Sequence, residues 1–555
     1  MLMRALIFIT VFVFATRGWA GTAALAMPDR WSAEVAQAVL MDGGNAVDAA
    51  IAATFMLAVT LPDAGNIGGG GFMTAYMDDE AVFLDFRERA PAKAYRDMFL
   101  DEGGNFQQRL SLVGGKASGV PGTVRGMQEA HSRYGTLPWR RLLAPAIGIA
   151  RDGFAVSETI FELAVEKIAE DAGETNFHRY FGRMQKGEIF KQAELAATLE
   201  LLAQDPDAFY SGVPARQLVA QMEATGGQIS LSDLETYKAI WREPLRDNWR
   251  EFEVLSAPPP SSGGFALVQL LKLREFSDQY FSGLWHNEAR YVHLMAELEK
   301  RVYADRAEYL GDPDYVAVPM GKLLEDDYLR ARASSVNPEA ISPIETVSAG
   351  LESTETTHFS IIDAEGNAVS LTTTLNWDFG SGVVVEGAGF LLNNQMDDFS
   401  AKVGVPNKFG VVGNDRNAIV PGKRMLSSMS PTILLRDGEP ALVIGTSGGS
   451  TIITTVFQVI LNMQDFDMPL QEAVDALRFH HQLPQALLIR HDQREVPVAT
   501  RKGLEKLGYA VEENSWGNLG KVHAISAENG KLTAVSDIRA QGEGRVIEIP
   551  ESAPN

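Results

Sequence analysis

Residues 45–59 carry the clearest pattern in the chain, because nearly every position is apolar (NAVDAAIAATFMLAV). An apolar helix of this length belongs inside a protein core rather than on its surface. Asn45 is a suitable N-cap, and Asp48 stands at the third helical position, where an acidic side chain completes a capping signal. The pattern therefore predicts a buried helix after Asn45, followed by a run of four glycines at 68–71.

Short runs rich in β-branched and aromatic residues, bounded by turn residues, predict strands in both halves of the chain. The predicted strands are 73–77, 81–86, 357–362, 368–374 and 441–446, of which the first four form two hairpins. Further helices are predicted at 265–274, 450–463 and 472–479. Strands in sequence with helices packed outside them indicate a layered α+β fold.

The first residues have the features of an export signal. Arg4 supplies a positive charge, residues 6–15 form an apolar run, and Ala24-Leu25-Ala26 offers small residues at a spacing suited to cleavage. A membrane span needs about 20 apolar residues, and Arg17 interrupts this run earlier. We therefore expect a leader over 1–26, a periplasmic or secreted protein, and no stable membrane span after its removal; an uncleaved anchor is the alternative.

Charge and composition exclude several classes of function. The chain has 49 basic and 72 acidic residues, a net charge of −23, which disfavours binding to nucleic acids or to anionic membranes. Cysteine is absent, so disulfides, thiolate catalysis and sulfur-based metal sites are excluded. Only nine histidines occur, and the adjacent pair at 480–481 lacks the spaced partners of a metal site. We expect neither a metal nor a cofactor.

Thr356 is the first candidate for chemistry. It lies between a polar, turn-prone connector at 342–355 and the first predicted strand of the second hairpin. A threonine hydroxyl is a poor nucleophile unless a base removes its proton. Cleavage of the chain before Thr356 would free an α-amine with a pKa of about 8, which can be that base. Two threonines that open a strand are otherwise ordinary β-formers.

Four other segments carry groups that can bind charge. Ser447-Gly448-Gly449 stands between a strand and a helix, where backbone N–H groups can stabilise an oxyanion. Arg87 can hold a carboxylate in two parallel hydrogen bonds. The polar run 393–399 can receive an ammonium group, and the hydroxyls of 427–430 suit a carboxylate. Taken alone, these segments also fit a tight turn, a surface ion pair with Glu88, a polar loop and a serine-rich turn.

In this order along the chain, the segments resemble one family. The matching passages are GGNAVDAA (43–50), GGGGFM (68–73), DFRERAP (85–91), ASGVPGTVRG (117–126), TTHFS (356–360), LLNNQMDDFS (391–400), KRMLSSMSP (423–431), GGSTIITTV (448–456) and RFHHQ (478–482). The sequence resembles the γ-glutamyltransferases (glutathione hydrolases) of the N-terminal-nucleophile hydrolase superfamily, and the resemblance covers nearly the whole mature chain.

The resemblance implies an α+β fold with a four-layer αββα sandwich. It implies a precursor that cuts itself between Glu355 and Thr356 into a large subunit (27–355) and a small subunit (356–555), intertwined in one body. Thr356 would then attack the γ-glutamyl amide of glutathione and related compounds, forming an acyl-enzyme that passes the group to water or to an amine.

Ten positions match the functional residues of the family. By resemblance, Thr356 is the nucleophile, Thr374 supports it, and Gly448 and Gly449 donate the oxyanion hydrogen bonds. The α-carboxylate of the substrate would be held by Arg87, Ser427 and Ser428. The α-amino group and its neighbourhood would contact Asn376, Gln395 and Asp398. A γ-glutamyl group carries both a carboxylate and an ammonium, so a glutaryl group would leave Asp398 without a partner.

The sequence also departs from the usual bacterial pattern. Trp377 and Asp378 stand where small hydroxyl residues are usual, Ser447 stands where proline is frequent, and Phe409 replaces the tyrosine of the lid loop. These departures bear on lid closure, on the choice of acceptor and on the balance between hydrolysis and transfer. Two alternatives stay open: an amide acylase or poly-γ-glutamate depolymerase on the same fold, and an uncleaved, inactive homologue.

Overall fold

The computed structural model of the chain describes residues 21–343, 355–402, 414–515 and 517–550. The helices are α1 (Arg30–Met41), α2 (Ala46–Thr60), α3 (Gln108–Leu112), α4 (Thr123–Tyr134), α5 (Trp139–Asp152), α6 (Glu158–Asp171), α7 (Phe177–Phe181), α8 (Ala193–Gln204), α9 (Ala208–Ser211), α10 (Val213–Thr225), α11 (Leu231–Glu235), α12 (Gly263–Phe276), α13 (Asp278–Phe281), α14 (Ala289–Tyr309), α15 (Met320–Leu323), α16 (Asp326–Ser334), α17 (Thr451–Phe466), α18 (Leu470–Asp475) and α19 (Val498–Leu507).

The strands are β1 (Thr22–Met27), β2 (Gly70–Met77), β3 (Glu80–Asp85), β4 (Phe154–Ala155), β5 (Ile189–Phe190), β6 (Ile240–Arg242), β7 (Leu245–Trp249), β8 (Phe252–Ser256), β9 (Glu355–Ile362), β10 (Ala368–Asn376), β11 (Thr432–Arg436), β12 (Glu439–Thr446), β13 (Phe479–His480), β14 (Leu488–His491), β15 (Ala510–Glu513), β16 (Val522–Glu528), β17 (Lys531–Ser536) and β18 (Glu543–Glu548). A seven-stranded sheet has the order β18-β1-β9-β10-β2-β3-β6, and a six-stranded sheet has the order β17-β16-β12-β11-β8-β7.

The side chains of these two sheets alternate between three apolar cores, which makes the layers visible. On β1, Leu25 packs with α1 and α2 in an outer core, whereas Ala24 and Ala26 point to a core shared by both sheets. On β12, Val443 enters the shared core, and Ile444 packs with α12, α14 and α17 on the other outer side. Helix, sheet, sheet and helix therefore follow one another, so the predicted αββα fold is confirmed.

Strands from before and after Thr356 are mixed within both large sheets. In the seven-stranded sheet, β9 and β10 lie between β1 and β2, and β18 lies at the edge beside β1. In the six-stranded sheet, β11 pairs with β8. A cut before Thr356 would leave fragments that share their sheets, because neither sheet is built from one side of that position alone.

Strand β1 conflicts with a leader that ends at Ala26. Its residues pair with β18 on one side and with β9 on the other, and all but Thr22 are buried. Cleavage after Ala26 would remove five residues of this strand and leave β9 without a neighbour on that side. The A-x-A spacing of Ala24–Ala26 instead reflects small residues that fit between the two sheets.

Most predicted elements match the structure within a few residues. Helix α2 has the predicted capping box, in which Asn45 accepts a hydrogen bond from the N–H of Asp48 and the Asp48 side chain accepts one from the N–H of Asn45. The helix predicted at 472–479 is wrong in its second half, because α18 ends at Asp475 and β13 begins at Phe479. There, the Phe479 N–H donates to the side chain of Gln458, a contact that a local pattern does not reveal.

Among the described helices, none combines the length and apolar character that a bilayer span requires.

Candidate active site

Thr356 is the second residue of β9 and is buried, with 7% of its surface exposed. The neighbouring strand β10 has an irregular register at this point: Thr373 pairs with Thr357, whereas Asn376 pairs with Glu355. Two residues of β10, Thr374 and Leu375, therefore lie opposite Thr356 alone. Such a bulge re-aims side chains beside a strand and is frequent next to active sites.

The end of β10 is held by polar contacts that fix the bulge. The N–H of Asn376 donates to the hydroxyl of Thr374 over 2.8 Å, and the side-chain amide of Asn376 donates to the carbonyl of Asn394 over 3.0 Å. Asn376 has a φ of +82°, in the left-handed region that is uncommon for a side chain other than glycine. The chain leaves β10 through this turn, directly after the bulge that sets Thr374 opposite Thr356.

Gly448 and Gly449 form the turn between β12 and α17. Their φ angles are +121° and +56°, which favour glycine. A Cβ on Gly448 would lie 2.5 Å from the hydroxyl of Thr451 and 3.0 Å from Gly520, so the turn has no room for a side chain. The turn stands at the N-terminal end of a 16-residue helix, where the helix dipole favours negative charge.

Arg87 is fully buried and is not part of a surface ion pair. Its Nη2 donates to Oδ2 of Asp398 over 2.5 Å, and Gln395 donates to the same oxygen over 2.6 Å. Its Nη1 lies 3.6 Å from Oε2 of Glu88. The two groups that sequence analysis assigns to the substrate carboxylate and to its ammonium group therefore contact each other inside the protein.

One cavity brings most of the predicted residues together. Its lining contains eight of the ten: Arg87, Thr356, Thr374, Gln395, Asp398, Ser427, Ser428 and Gly449. Met429 and Ile452 complete the lining with apolar surface. Asn376 and Gly448 do not line this cavity, but each lies within two residues of a side chain or turn that does. The ten positions span 363 residues of sequence from Arg87 to Gly449 and meet where the two large sheets face each other.

A second cavity also reaches Thr356. Its lining includes Asp63, Thr356, Ser447, Lys521 and His523. Burial raises the pKa of the Asp63 carboxyl, and the positive charge of Lys521 partly opposes that rise. Ser447, one of the departures from the usual pattern, therefore lies at the wall of this second cavity.

Glu88, which no sequence pattern singles out, lies beside Arg87 at the edge of the site. Neither of its carboxylate oxygens has a hydrogen-bond partner among the described residues, and the side chain is fully buried. Burial raises its pKa to about 7, although the neighbouring Arg87 lowers it. The one available signal was its position next to Arg87 at the end of β3, which the sequence interpretation used only as a possible surface ion pair.

The other departures have different outcomes. Burial and the nearby carboxyl of Asp63 raise the pKa of Asp378 to about 7, while Lys521 and Lys167 lower it. The N–H of Trp377 donates to the side chain of Asn394 over 3.1 Å, which ties the segment after β10 to the polar run 393–399. Phe409 lies outside the described residues.

Within the described chain, no group of three or more His, Cys, Asp or Glu side chains has a metal-binding arrangement.

The fold and site define a class. Two facing antiparallel sheets, with a threonine at the start of a central strand and a glycine turn beside it, are the architecture of the N-terminal-nucleophile hydrolases. The family described as Gamma-glutamyltranspeptidase matches residues 32–547. A match over that share of the sequence shows that the chain belongs to this family.

Individual relatives agree with the family. The chain is 55% identical over 527 residues to a glutathione hydrolase proenzyme of Pseudomonas aeruginosa, with 94% of each chain covered. Among solved structures, gamma-glutamyltranspeptidase from Pseudomonas nitroreducens, complexed with L-DON, is 52% identical with a TM-score of 0.58, covering 58% of this chain and 97% of its own. A cephalosporin acylase from Bacillus halodurans has a TM-score of 0.84 at 26% identity, covering 95% and 96%.

Proposed function

We propose that the chain is an exported, self-processing γ-glutamyl hydrolase and transferase that acts on glutathione and related γ-glutamyl compounds. It is cut between Glu355 and Thr356, and the small subunit then begins with the nucleophile. The proenzyme names of the relatives and the mixing of strands from both sides of Thr356 support this reading. The leader is cut before β1, so that the large subunit keeps Thr22–Met27.

Self-cleavage requires that the Thr356 hydroxyl attack the carbonyl carbon of Glu355. The peptide bond becomes an ester, and water hydrolyses that ester to give a new carboxylate on Glu355 and a free amine on Thr356. Thr374, which lies in the same cavity, is placed to support the hydroxyl during this step. The bulge supports the proposal, since it interrupts the regular pairing of β10 with β9 opposite Thr356, which also lines the cavity.

In the first half of turnover, the free α-amine takes the proton of the Thr356 hydroxyl, which attacks the γ-carbonyl of the donor. The N–H groups of Gly448 and Gly449 hold the negative oxygen that forms. The amine of the leaving group takes the proton as it departs, and a γ-glutamyl ester remains on Thr356. In the second half, water or the amine of an amino acid or peptide attacks that ester. The bond between the acyl carbon and the Thr356 oxygen breaks, and the α-amine passes the proton of the attacking group to that oxygen.

The observation that carries the proposal is one cavity in which Thr356, Arg87 and Asp398 meet. Arg87, with Ser427 and Ser428, receives the α-carboxylate of the donor. Asp398, with Gln395 and the neighbouring Asn376, receives its ammonium group. The contact between Arg87 and Asp398 is then exchanged for contacts to a zwitterion, so that no buried charge is left alone. A donor that lacks either charge leaves one of the pair uncompensated, which disfavours an acylase reading.

The first experiment compares purified wild type with Thr356→Ala on a denaturing gel. At 60.4 kDa for 555 residues, the 200 residues from Thr356 onward weigh about 22 kDa. We expect that fragment in wild type, beginning Thr-Thr-His-Phe, and a single uncut chain in the variant. Thr357→Ala is the matched control, because it removes the neighbouring hydroxyl on the same strand and leaves the nucleophile. A folded wild type that stays uncut would favour the inactive homologue.

A second measurement fixes the donor class. The cut enzyme is assayed with γ-glutamyl, glutaryl and 4-aminobutanoyl anilides, which differ only in the charges on the acyl group. We expect the γ-glutamyl anilide to have the highest kcat/KM by at least about tenfold, the effect of one unpaired buried polar group. Preference for the glutaryl anilide would instead identify an acylase.

A further inference from the structure

Residues 257–264 (APPPSSGG) form the most distinctive proline- and glycine-rich segment in the sequence, and the proposed chemistry uses none of them. The segment leads from β8 into α12 and lies against residues 427–430. Ser261 and Ser427 form an isolated parallel bridge. The segment therefore supports, from behind, the two serines that are proposed to hold the α-carboxylate of the donor.

Most backbone groups around Ser427 are bound by this segment. The N–H and the hydroxyl of Ser262 both donate to the carbonyl of Ser427, over 2.6 and 2.7 Å. The N–H of Ser427 donates to the carbonyl of Pro260 over 2.9 Å. The hydroxyl of Ser261 donates to the carbonyl of Met429 over 2.6 Å. These contacts fix the backbone of 427–429 on both sides of Ser428.

Ser262 is the N-cap of α12, yet its hydroxyl does not cap the helix. A serine in this position ordinarily accepts a hydrogen bond from the first turn. Here the hydroxyl donates to Ser427 and accepts a hydrogen bond from Nε of Arg306 over 2.9 Å. Arg306 comes from the last turn of α14 and is buried, with 2% of its surface exposed. The Ser262 hydroxyl therefore does not cap α12 and instead joins Arg306 to the backbone of Ser427.

Gly263 gives an independent sign that the two segments are fitted to each other. A Cβ at this position would lie 2.3 Å from the hydroxyl of Ser430, 2.4 Å from the carbonyl of Met429 and 2.7 Å from that of Ser428. The start of α12 therefore touches the backbone of 428–430 with no space for a side chain. The N–H of Met429 donates to Ser427 Oγ over 3.2 Å, which leaves the hydroxyl proton of Ser427 to be donated elsewhere.

We propose that Ser262, held by Arg306, is a positioning residue for the α-carboxylate of the donor: it fixes the Ser427–Ser428 backbone so that both hydroxyls face the cavity. The inference rests on the proposed function and adds to it residues that do not touch the substrate. The guanidinium of Arg306 also lies close enough to Asp398 for the two charges to interact. Arg306 therefore contacts Ser262 and also interacts with Asp398, which lines the cavity with Thr356 and Arg87 that we call the donor cavity.

The test is Ser262→Ala, assayed with the γ-glutamyl, glutaryl and 4-aminobutanoyl anilides. The first two donors carry a carboxylate at the position that Ser427 and Ser428 would bind, and the third does not. We expect kcat/KM to fall about tenfold for the first two donors, mainly through KM, as for the loss of one buried hydrogen bond, and to stay unchanged for the third. Self-cleavage should be complete, because Thr356 and the glycine turn do not contact Ser262.

Ser277→Ala is the matched control. Ser277 is a buried serine at the other end of α12, and its hydroxyl has no hydrogen-bond partner among the described residues. It should leave all three donors unchanged. Arg306→Lys is the second variant: it keeps the positive charge but not the Nε donor, and should give the same donor-dependent loss. If this variant does not fold, Ser262→Ala alone decides.

The outcomes separate this inference from the function on which it rests. Equal losses for all three donors in Ser262→Ala would show a general structural role and overturn the inference, as would no loss at all. Either result would leave the γ-glutamyl activity of wild type standing. A cut wild type that hydrolyses none of the three anilides would overturn the proposed function, and the inference with it.

Discussion

The two cavities that reach Thr356 differ in how their charged side chains are paired. In the first, Arg87 and Asp398 contact each other at 2.5 Å, and serine hydroxyls and an amide surround them. In the second, Oδ1 of Asp63 has no hydrogen-bond partner among the described residues, and Lys521 faces the carboxyls of Asp63 and Asp378. The first cavity is the smaller of the two.

The difference indicates that the two cavities bind different parts of the reactants. A small cavity with a matched pair of fixed charges suits one chemical group, the γ-glutamyl group that every donor shares. A larger cavity that is lined by Asp63 and lies near Asp378, whose pKa is raised to about 7, suits the part of the reaction that varies, the leaving group and the acceptor. Aspartates on the two sides can be compared by the same substitution, which makes the idea testable.

The largest effect should come from Asp398→Asn in the first cavity. The variant loses the negative charge that we propose receives the ammonium group, and kcat/KM for the γ-glutamyl anilide should fall about a hundredfold, the range for hydrogen bonds to charged groups. The glutaryl anilide has no ammonium group, so its kcat/KM should not fall. The ratio of the two values in one preparation measures the effect independently of the amount of active enzyme. An equal fall for both donors would contradict the role of Asp398.

A smaller effect is expected for Asp378→Asn, which changes the charge beside the second cavity. Hydrolysis of the γ-glutamyl anilide should stay within about threefold of wild type, because Asp378 does not line the donor cavity. Transfer to a dipeptide should change in its pH dependence. The pKa of Asp378 is raised to about 7, so its charge appears above that pH and repels the carboxylate of the acceptor.

In wild type, the KM for a dipeptide acceptor should therefore rise between pH 6 and pH 8 by more than in Asp378→Asn. An acceptor amine without a carboxylate is the control, since it should give the same pH profile in both proteins. If the two proteins share one profile for the dipeptide as well, the charge of Asp378 has no part in acceptor binding.

How much the sequence predicts also differs between the two sides. Most groups of the donor cavity could be singled out from sequence because they lie in short runs that suit a chemical role, such as Ser427-Ser428 or Gly448-Gly449, whereas Thr374 came from the resemblance alone. The resemblance then supplied their roles. What no local pattern reveals is that Arg87 and Asp398, 311 residues apart, share a hydrogen bond, or that Glu88 is buried without one.

Tertiary contacts compete with local signals at two places in the chain. The small residues of 24–26 satisfy a cleavage pattern and equally suit a strand packed between two sheets, and the pairing of β1 with β9 and β18 supports our proposal that the leader is cut before β1. The helix predicted to reach Phe479 ends early, because the buried Arg478 pairs with Asp537, far away in the sequence. Element types were predicted well, and boundaries fixed by distant partners were not.

The smallest expected effect, on stability, concerns the charge balance of the donor cavity. Arg87 faces two carboxyls, Asp398 and Glu88, so the set is neutral only while Glu88 is protonated. Burial raises the folded-state pKa of Glu88 from 4.5 to about 7. The folded protein then holds a proton that the unfolded chain releases between these values, and the contribution of Glu88 to the stability of wild type falls by about 3 kcal/mol as pH rises from 4.5 to 7.

Glu88→Gln removes this loss, because the amide stays neutral at every pH. Thermal unfolding should show a higher Tm for the variant than for wild type at pH 8, by about 2–3 °C for a chain of this length, and no gain below about pH 4, where Glu88 is protonated in both the folded and the unfolded state. Wild type and variant must both be fully cut, so that the same species unfolds. The sign of the change is the informative part: a variant less stable than wild type at pH 8 would mean that the Glu88 carboxylate, when charged, gains more from Arg87 than it loses by burial. The donor cavity would then hold a charged triad rather than a neutral pair beside a protonated acid.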